Sequence, residues 1–311
     1  MGRPTSTAAA SHRSVGGAQR VAPYVFVAPF VVLFLTFLVA PILVAVWNSL
    51  FTVTSSGLGF DTAPTAVWAG IENYRRALTD SGFLTGFGRV LLFGIVQVPV
   101  MMVIAATLAL LFDTALVKAK KFFQVAVFLP YAVPGVIAAL LWGFLYQPSV
   151  SPLVGALESL GVSADFLAPG TVLWSIANIS IWSYAGINMI ILFSALQSIP
   201  RDMYEAARLD GAGELRIALS IKLPIIAPAV LLTTLSTVIG TLQLFNEPSV
   251  LRSVTSNISS DYTPNMAIFS MSTLGGNTHQ ASAMAVLLGV ATLIASLVIL
   301  RITSRRNGAR P

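Results

Sequence analysis

The sequence predicts an all-α polytopic membrane protein with six transmembrane helices, and three observations carry that prediction. Apolar residues fill 56% of the 311 positions and Asp, Glu, Lys and Arg only 10%, against about a quarter charged in soluble domains; mean hydropathy is +0.82. Six runs, residues 24–46, 90–112, 122–146, 171–197, 223–245 and 281–300, contain no Asp, Glu, Lys or Arg, and each reaches the about 20 residues that cross a hydrocarbon core. The charge is concentrated between the fourth and fifth runs, where residues 201–222 hold eight of the thirty such side chains. A charge at the bilayer centre costs several kcal/mol, so that passage belongs in water.

Taken in order, residues 1–21 are rich in Ser, Ala, Gly and Arg without periodicity, and a disordered tail is expected there. The run from Tyr24 exceeds the apolar core of a signal peptide, so it reads as an uncleaved first span of a membrane domain over 22–303. A short C-terminal tail is expected over residues 304–311. Pro99, Pro130, Pro134, Pro224 and Pro228 fall in or at the ends of the runs, where each removes a backbone hydrogen bond and kinks a helix. Of the longer loops, 47–89, 147–170 and 246–280, the first carries an amphipathic stretch, GIENYRRAL at 70–78, which suits either a lid over the span ends or a surface for a soluble partner.

Six spans put both termini on one side, and Lys and Arg choose which. Fourteen lie in the termini, the 113–121 loop and the 201–222 loop; four (Arg75, Arg76, Arg89 and Arg252) lie opposite. This places the charged passage and both termini in the cytoplasm. The same asymmetry accounts for the net charge of +6 without a nucleic-acid partner. The chain has no cysteine, its two histidines, His12 and His279, are far apart, and no metal site is expected. No G-x-x-x-x-G-K-[ST] phosphate loop and no constellation of carboxylates or histidines within the spans points to catalysis.

Two neighbouring spans carry neutral polar stripes. Ser180, Ser183, Tyr184, Ile187 and Asn188 follow helical spacing in the fourth, with Trp182 as a further aromatic; Ser236, Gly240, Gln243 and, at the outer end, Glu247 do so in the fifth. One reading is interhelical hydrogen bonding and small-residue packing. The other is a cavity whose hydroxyls, amides and rings suit a sugar.

In the charged passage, YEAARLD reads as a helix with Asp202 as its N-cap. Gly211 stops it in the C′ manner, and a second helix starts near Leu215 and ends at Pro224. EAARLDGA at 205–212, followed by IKLP at 221–224, resembles the cytoplasmic EAA loop of importer-type ABC transporter permeases, whose pattern is EAA, two residues, DGA, then I-x-LP. Glu205, Ala206, Ala207, Asp210, Gly211, Ala212, Ile221, Leu223 and Pro224 fall on it; Ala218 stands where the family usually has Phe. ALQSIPRDMY at 195–204, GIENYRRAL and FLPYAVPGVIAALLW at 128–142 are similar to the carbohydrate, maltose-type branch, and the resemblance runs from about residue 23 to 303.

The resemblance implies a permease subunit of a binding-protein-dependent importer in the bacterial cytoplasmic (inner) membrane. Such a subunit would translocate a sugar, an oligosaccharide above all, and would not itself be an enzyme. It implies four partners: a second homologous permease, two ATPase subunits that bind ATP and Mg, and an extracytoplasmic solute-binding protein, with no cofactor in this chain. Glu205 to Ala207 and Asp210 to Ala212 would dock the ATPase, and the two stripes would contribute to the sugar site. Two alternatives stay open: a permease for another neutral solute, and an ion-coupled secondary carrier. Such carriers usually keep an ionisable residue inside the membrane, whereas here Glu247 stands only at a span boundary.

Overall fold

The computed structural model describes residues 17–54, 65–114 and 118–308. Of the tail expected over 1–21, residues 1–16 lie outside them, and a helix begins at Gly17. The chain divides into two units, residues 1–47 and 48–311. In the first, α1 (Gly17–Phe34) passes through a π-helical stretch, Leu35–Val39, into α2 (Ala40–Ser49). The result is one apolar helix of 27 residues from Pro23 to Ser49. The π stretch directly precedes Ala40 and Pro41: the wider turn makes room for a ring that otherwise strikes the carbonyl four residues back.

The second unit opens with β1 (Phe51–Thr54) and β2 (Thr65–Trp68), paired antiparallel with Phe51 opposite Trp68, a hairpin the hydropathy pattern does not announce. The GIENYRRAL stretch becomes α3 (Glu72–Thr79). Its buried Asn73 donates to the carbonyls of Ser49 and Phe51 at 2.8 and 2.6 Å, while Arg75 and Arg76 pair with Glu72 at the surface. Asp80 then caps α4 (Ser81–Asp113), accepting from the Phe83 amide at 2.8 Å. With 33 residues, α4 begins well before the expected residue 90.

The third expected span, 122–146, is not one rod. α5 (Lys120–Phe128), a 3₁₀ turn (Leu129–Ala132) and α6 (Gly135–Leu145) bend by 97°. Pro130 lies inside the turn and Pro134 at the N-cap of α6, and neither can supply the amide hydrogen a continuous helix needs. After α7 (Pro152–Ser159) and α8 (Val172–Leu196) comes the charged passage, α9 (Arg201–Leu209) and α10 (Glu214–Ile217). Pro224 does not end the second helix as expected. A π stretch, Ala218–Lys222, precedes it, and the chain runs on through α11 (Leu223–Ile225) to a break at Ile226. Pro224 thus repeats the arrangement at Pro41.

Pro228 falls in the first turn of α12 (Ala227–Leu242), where its missing amide has no intrahelical partner to lose. The remaining elements are α13 (Asn246–Leu251), α14 (Pro264–Thr273) and α15 (Thr278–Gly308), the last extending helix into the expected C-terminal tail. Among the described residues five helices are long and apolar enough to cross a membrane, six if the bent pair counts as one span.

Packing in this unit centres on α4 against α8, with α12 beside both. Two clusters of buried side chains sit at the two ends. One gathers Phe93, Ile176, Ile179, Tyr146 and Leu251; the other gathers Ala105, Ala109, Met189, Leu196, Ile217 and Ile226. Small residues permit close approach: a Cβ on Gly186 of α8 would lie 2.2 Å from the Val127 carbonyl oxygen of α5. Between the clusters α4 carries Gln97, and α8 carries Ser180, Ser183, Tyr184 and Asn188.

Candidate functional site

A cavity of about 360 Å³ opens between the two clusters, inside the range of about 300–1,000 Å³ common for small-molecule sites. α4 contributes Phe93, Gln97 and Met101, one turn apart. α8 contributes Ser180, Tyr184, Ile187, Asn188 and Ile191, and α12 contributes Ser236, Thr237, Gly240 and Thr241. α12 stops at Leu242, and the chain from Gln243 to Glu247 closes one rim before α13 is under way. The 3₁₀ turn supplies Tyr131, whose ring meets that of Tyr184 edge-on at 6.1 Å between centroids.

Hydrogen bonds between helices shape the wall. Thr241 Oγ1 donates to Gln97 Oε1 at 3.0 Å, tying α12 to α4. Asn188 Nδ2 donates to Thr237 Oγ1 at 3.3 Å and lies 3.1 Å from Met101 Sδ. Packing and solute contact are therefore not exclusive readings of these residues. Glu247 is the one Asp, Glu, Lys or Arg in the lining, and it is only 7% exposed.

Of the nine residues expected along the solute path, the cavity takes Ser180, Tyr184, Asn188, Ser236, Gly240, Gln243 and Glu247. Trp182 and Ser183 are not in its lining. At about 100° per residue, Tyr184, Ile187, Asn188 and Ile191 centre about 20–30° from Ser180, which puts Trp182 nearly opposite and Ser183 at the stripe's edge. Trp182 packs edge-on against Trp142 at 5.9 Å, beside the first cluster, and Ser183 is buried in protein. The stripes also omit the α4 wall, Tyr131, Thr237, Thr241 and Asn246. Gln97 had a usable signal, as the one amide in the apolar run 90–112. Tyr131 had none, because only the 97° bend brings it in.

At the far end of the unit the charged passage forms a knuckle. The α9 helix starts after Pro200, so Asp202 sits in its first turn rather than at the cap expected for it; there a carboxylate still favours the positive helix end. α9 ends in a Schellman motif: the Gly211 amide donates to the Arg208 carbonyl at 3.0 Å and the Ala212 amide to the Ala207 carbonyl at 2.9 Å, with Gly211 at φ +80°. Arg208 and Glu214 pair across the turn at 2.8 Å. Glu205, Ala206, Asp210 and Gly211 are exposed, Ala207 and Ala212 half-buried, and Leu209 beside them is 89% exposed. The opposite face holds Tyr204, Ile217 and Ile226 in the second cluster. Burial, then the nearby Asp113 carboxylate, pushes the Tyr204 phenol up to about 12. Among the described residues no group of three His, Cys, Asp or Glu is placed to hold a metal.

Residues 101–306 match the family described as the binding-protein-dependent transport system inner membrane component. The sn-glycerol-3-phosphate transport system permease protein UgpA of Pectobacterium atrosepticum is 31% identical over 207 residues, covering 66% of this chain and 68% of that protein. Its counterpart in Salmonella typhi is 32% identical over 211 residues, covering 68% and 69%. In fold, the chain is similar to a bacterial ABC transporter involved in the import of the acidic polysaccharide alginate, with a TM-score of 0.78 at 22% identity over 93% of this chain and 97% of that one. A second structure, of the alginate transporter in complex with an alginate pentasaccharide-bound periplasmic protein, matches equally, with a TM-score of 0.78 at 21% identity over 93% and 96%. With an all-α multi-pass architecture, a cavity between its helices lined in part by hydroxyls and amides, and that match across two thirds of its length, the chain belongs to the binding-protein-dependent inner membrane components and is an ABC importer permease subunit, a transport component and not an enzyme.

Proposed function

We propose that the solute is a neutral sugar or polyol, passed through the cavity between α4, α8 and α12 by an assembly of this chain, a second homologous permease, two ATPase subunits and an extracytoplasmic binding protein. The observation that carries the reading is the lining itself, in which hydroxyls, amides and the Tyr131 and Tyr184 rings face the space and no Lys or Arg does. Sugars are held by such neutral donors and acceptors and by ring stacking. sn-Glycerol 3-phosphate and alginate, named for the relatives, are anions. An anion here would meet no cation and one carboxylate, Glu247, in a space of low dielectric where that repulsion is weakly screened.

ATP and Mg bind the ATPase subunits in this reading, and the knuckle at 201–222 receives them through Glu205, Ala206, Asp210 and Gly211. The distribution of Lys and Arg, fourteen against four, supports a cytoplasmic knuckle and cytoplasmic termini. ATP closes the ATPase pair, the knuckle moves with it, and the cavity exchanges one opening for the other. The buried Glu247 stands within this reading as the one carboxylate of the lining. Reconstitution of the whole assembly in liposomes tests solute and assembly at once. Uptake of neutral saccharides that requires internal ATP and the binding protein is expected; preference for glycerol 3-phosphate or uronate oligomers refutes the neutral solute, and uptake driven by an ion gradient without ATP refutes the assembly.

A further inference from the structure

We propose that Asp113 and Lys222 are positioning residues that make the knuckle and the span ends move as one body. This rests on the knuckle being the ATPase-coupling element. Asp113 is the last residue of α4, and Lys222 is the last residue of the π stretch that leads into the fifth span. Their charged groups are 2.6 Å apart, with side chains 7% and 5% exposed. Gln197, at the end of α8, donates to the other Asp113 oxygen at 2.8 Å. The Lys222 ammonium stands 4.7 Å from the centre of the Tyr204 ring on α9. Three span ends and the first knuckle helix therefore converge on one carboxylate and its counter-ion.

The argument is about direction and cost. Apart from this pair, the knuckle rests on the bundle through apolar side chains, chiefly Tyr204, Ile217 and Ile226. Apolar contact is non-directional and does not by itself single out one register between two surfaces. A buried ion pair is different, because separating the partners leaves an uncompensated charge away from water. A load applied to the exposed face of α9 must then move α4 and α8 together with the fifth span. Without the pair, the register between knuckle and bundle rests on the apolar contacts alone. Neither residue lines the cavity, so neither touches solute.

The test uses the whole reconstituted assembly, with partner subunits free of cysteine; this chain has none. Asp113→Cys with Lys222→Cys removes the pair and permits its covalent replacement by a short bis-methanethiosulfonate. Before bridging, ATPase subunits stay bound and basal hydrolysis persists, while stimulation by the loaded binding protein falls about tenfold, a usual size for coupling between sites. Bridging restores at least about half of the stimulation and of the uptake. The exchange Asp113→Lys with Lys222→Asp, which keeps a pair in the same place, retains more stimulation than either single change, and it decides the matter if the cysteine variant does not assemble. Unchanged stimulation in the unbridged variant overturns the proposal, as does loss of uptake on bridging, since that means the two residues separate during transport. An exchange variant no better than the single ones overturns it too. Absence of ATP-dependent uptake in the unmodified assembly would instead fail the coupling reading itself.

Discussion

Gly186→Ala is the sharpest test of the packing that frames the cavity. The added Cβ would lie 2.2 Å from the Val127 carbonyl oxygen and 2.9 Å from both the Val127 carbonyl carbon and the Phe128 Cα. All three are backbone atoms of α5, so no side-chain rotation relieves the overlap and α8 must part from α5 by about an ångström. Overpacking of this kind costs about 1–3 kcal/mol, and rigid neighbours favour the upper half. Gly240→Ala on α12 is the matched control: nothing lies within 4 Å of its Cβ, and alanine is a better helix former by about 0.5–1 kcal/mol. Because Gly240 lines the cavity, its methyl enters the solute space instead. Thermal inactivation of the purified assembly should therefore occur several degrees lower for Gly186→Ala and at or above the original temperature for Gly240→Ala, whereas solute KM should change for Gly240→Ala. Equal stability of the two variants would refute the close approach of α5 and α8.

Three further outcomes are expected. Gly211 has open space around its Cβ position but φ +80°, so Gly211→Asn should retain most of the stimulated ATPase, Gly211→Ala should cost about 1–2 kcal/mol locally, and Gly211→Val should lose uptake with all spans inserted; full uptake by the valine variant contradicts the coupling role of the turn. Gln243→Ala and Tyr184→Ala should weaken solute handling, by about 1 kcal/mol for one lost hydrogen bond to a neutral ligand. Trp182→Ala should instead lower stability with little change in solute preference, and the reverse pattern argues against the cavity as the solute site. The Tyr204 phenol titrates near 12 when folded and near 10 when unfolded, so its contribution to stability is complete below about pH 10 and falls as pH rises toward 12. A difference in melting temperature between the original protein and Tyr204→Phe that stays constant from pH 9 to 12 would exclude this.

Hydropathy made the spans legible because a bilayer demands length and apolarity from each segment alone. The knuckle was legible for a related reason: Gly211 and the helix formers that flank it act within a dozen residues. Features that depend on segments distant in sequence were not. The 97° bend needs two prolines and also a neighbouring helix with Gly186 at the crossing, and a hydropathy window reports only the prolines. Trp182 looked like a partner for a sugar ring because composition does not say which way a residue faces; its angular position on α8 does. Asp113 and Lys222 read as two ordinary loop charges, since nothing near either one in sequence names the other.

The length of α4 has a mechanical consequence. At about 1.5 Å per residue its 33 residues, helical throughout and unbroken at Pro99, make a rod of about 50 Å, well beyond the about 30 Å of hydrocarbon. One tip ends at Asp113. The other runs past Gly86, where an added Cβ would lie 2.9 Å from the Asp261 backbone oxygen, and past Arg89, which donates to the Tyr262 carbonyl at 2.6 Å. A rod held near one tip behaves as a lever: a tilt of about 5° carries the far tip about 4 Å. A small rotation of the bundle around α4 therefore becomes a displacement as wide as a side chain at the opposite membrane face, with no need to stretch or unwind the helix.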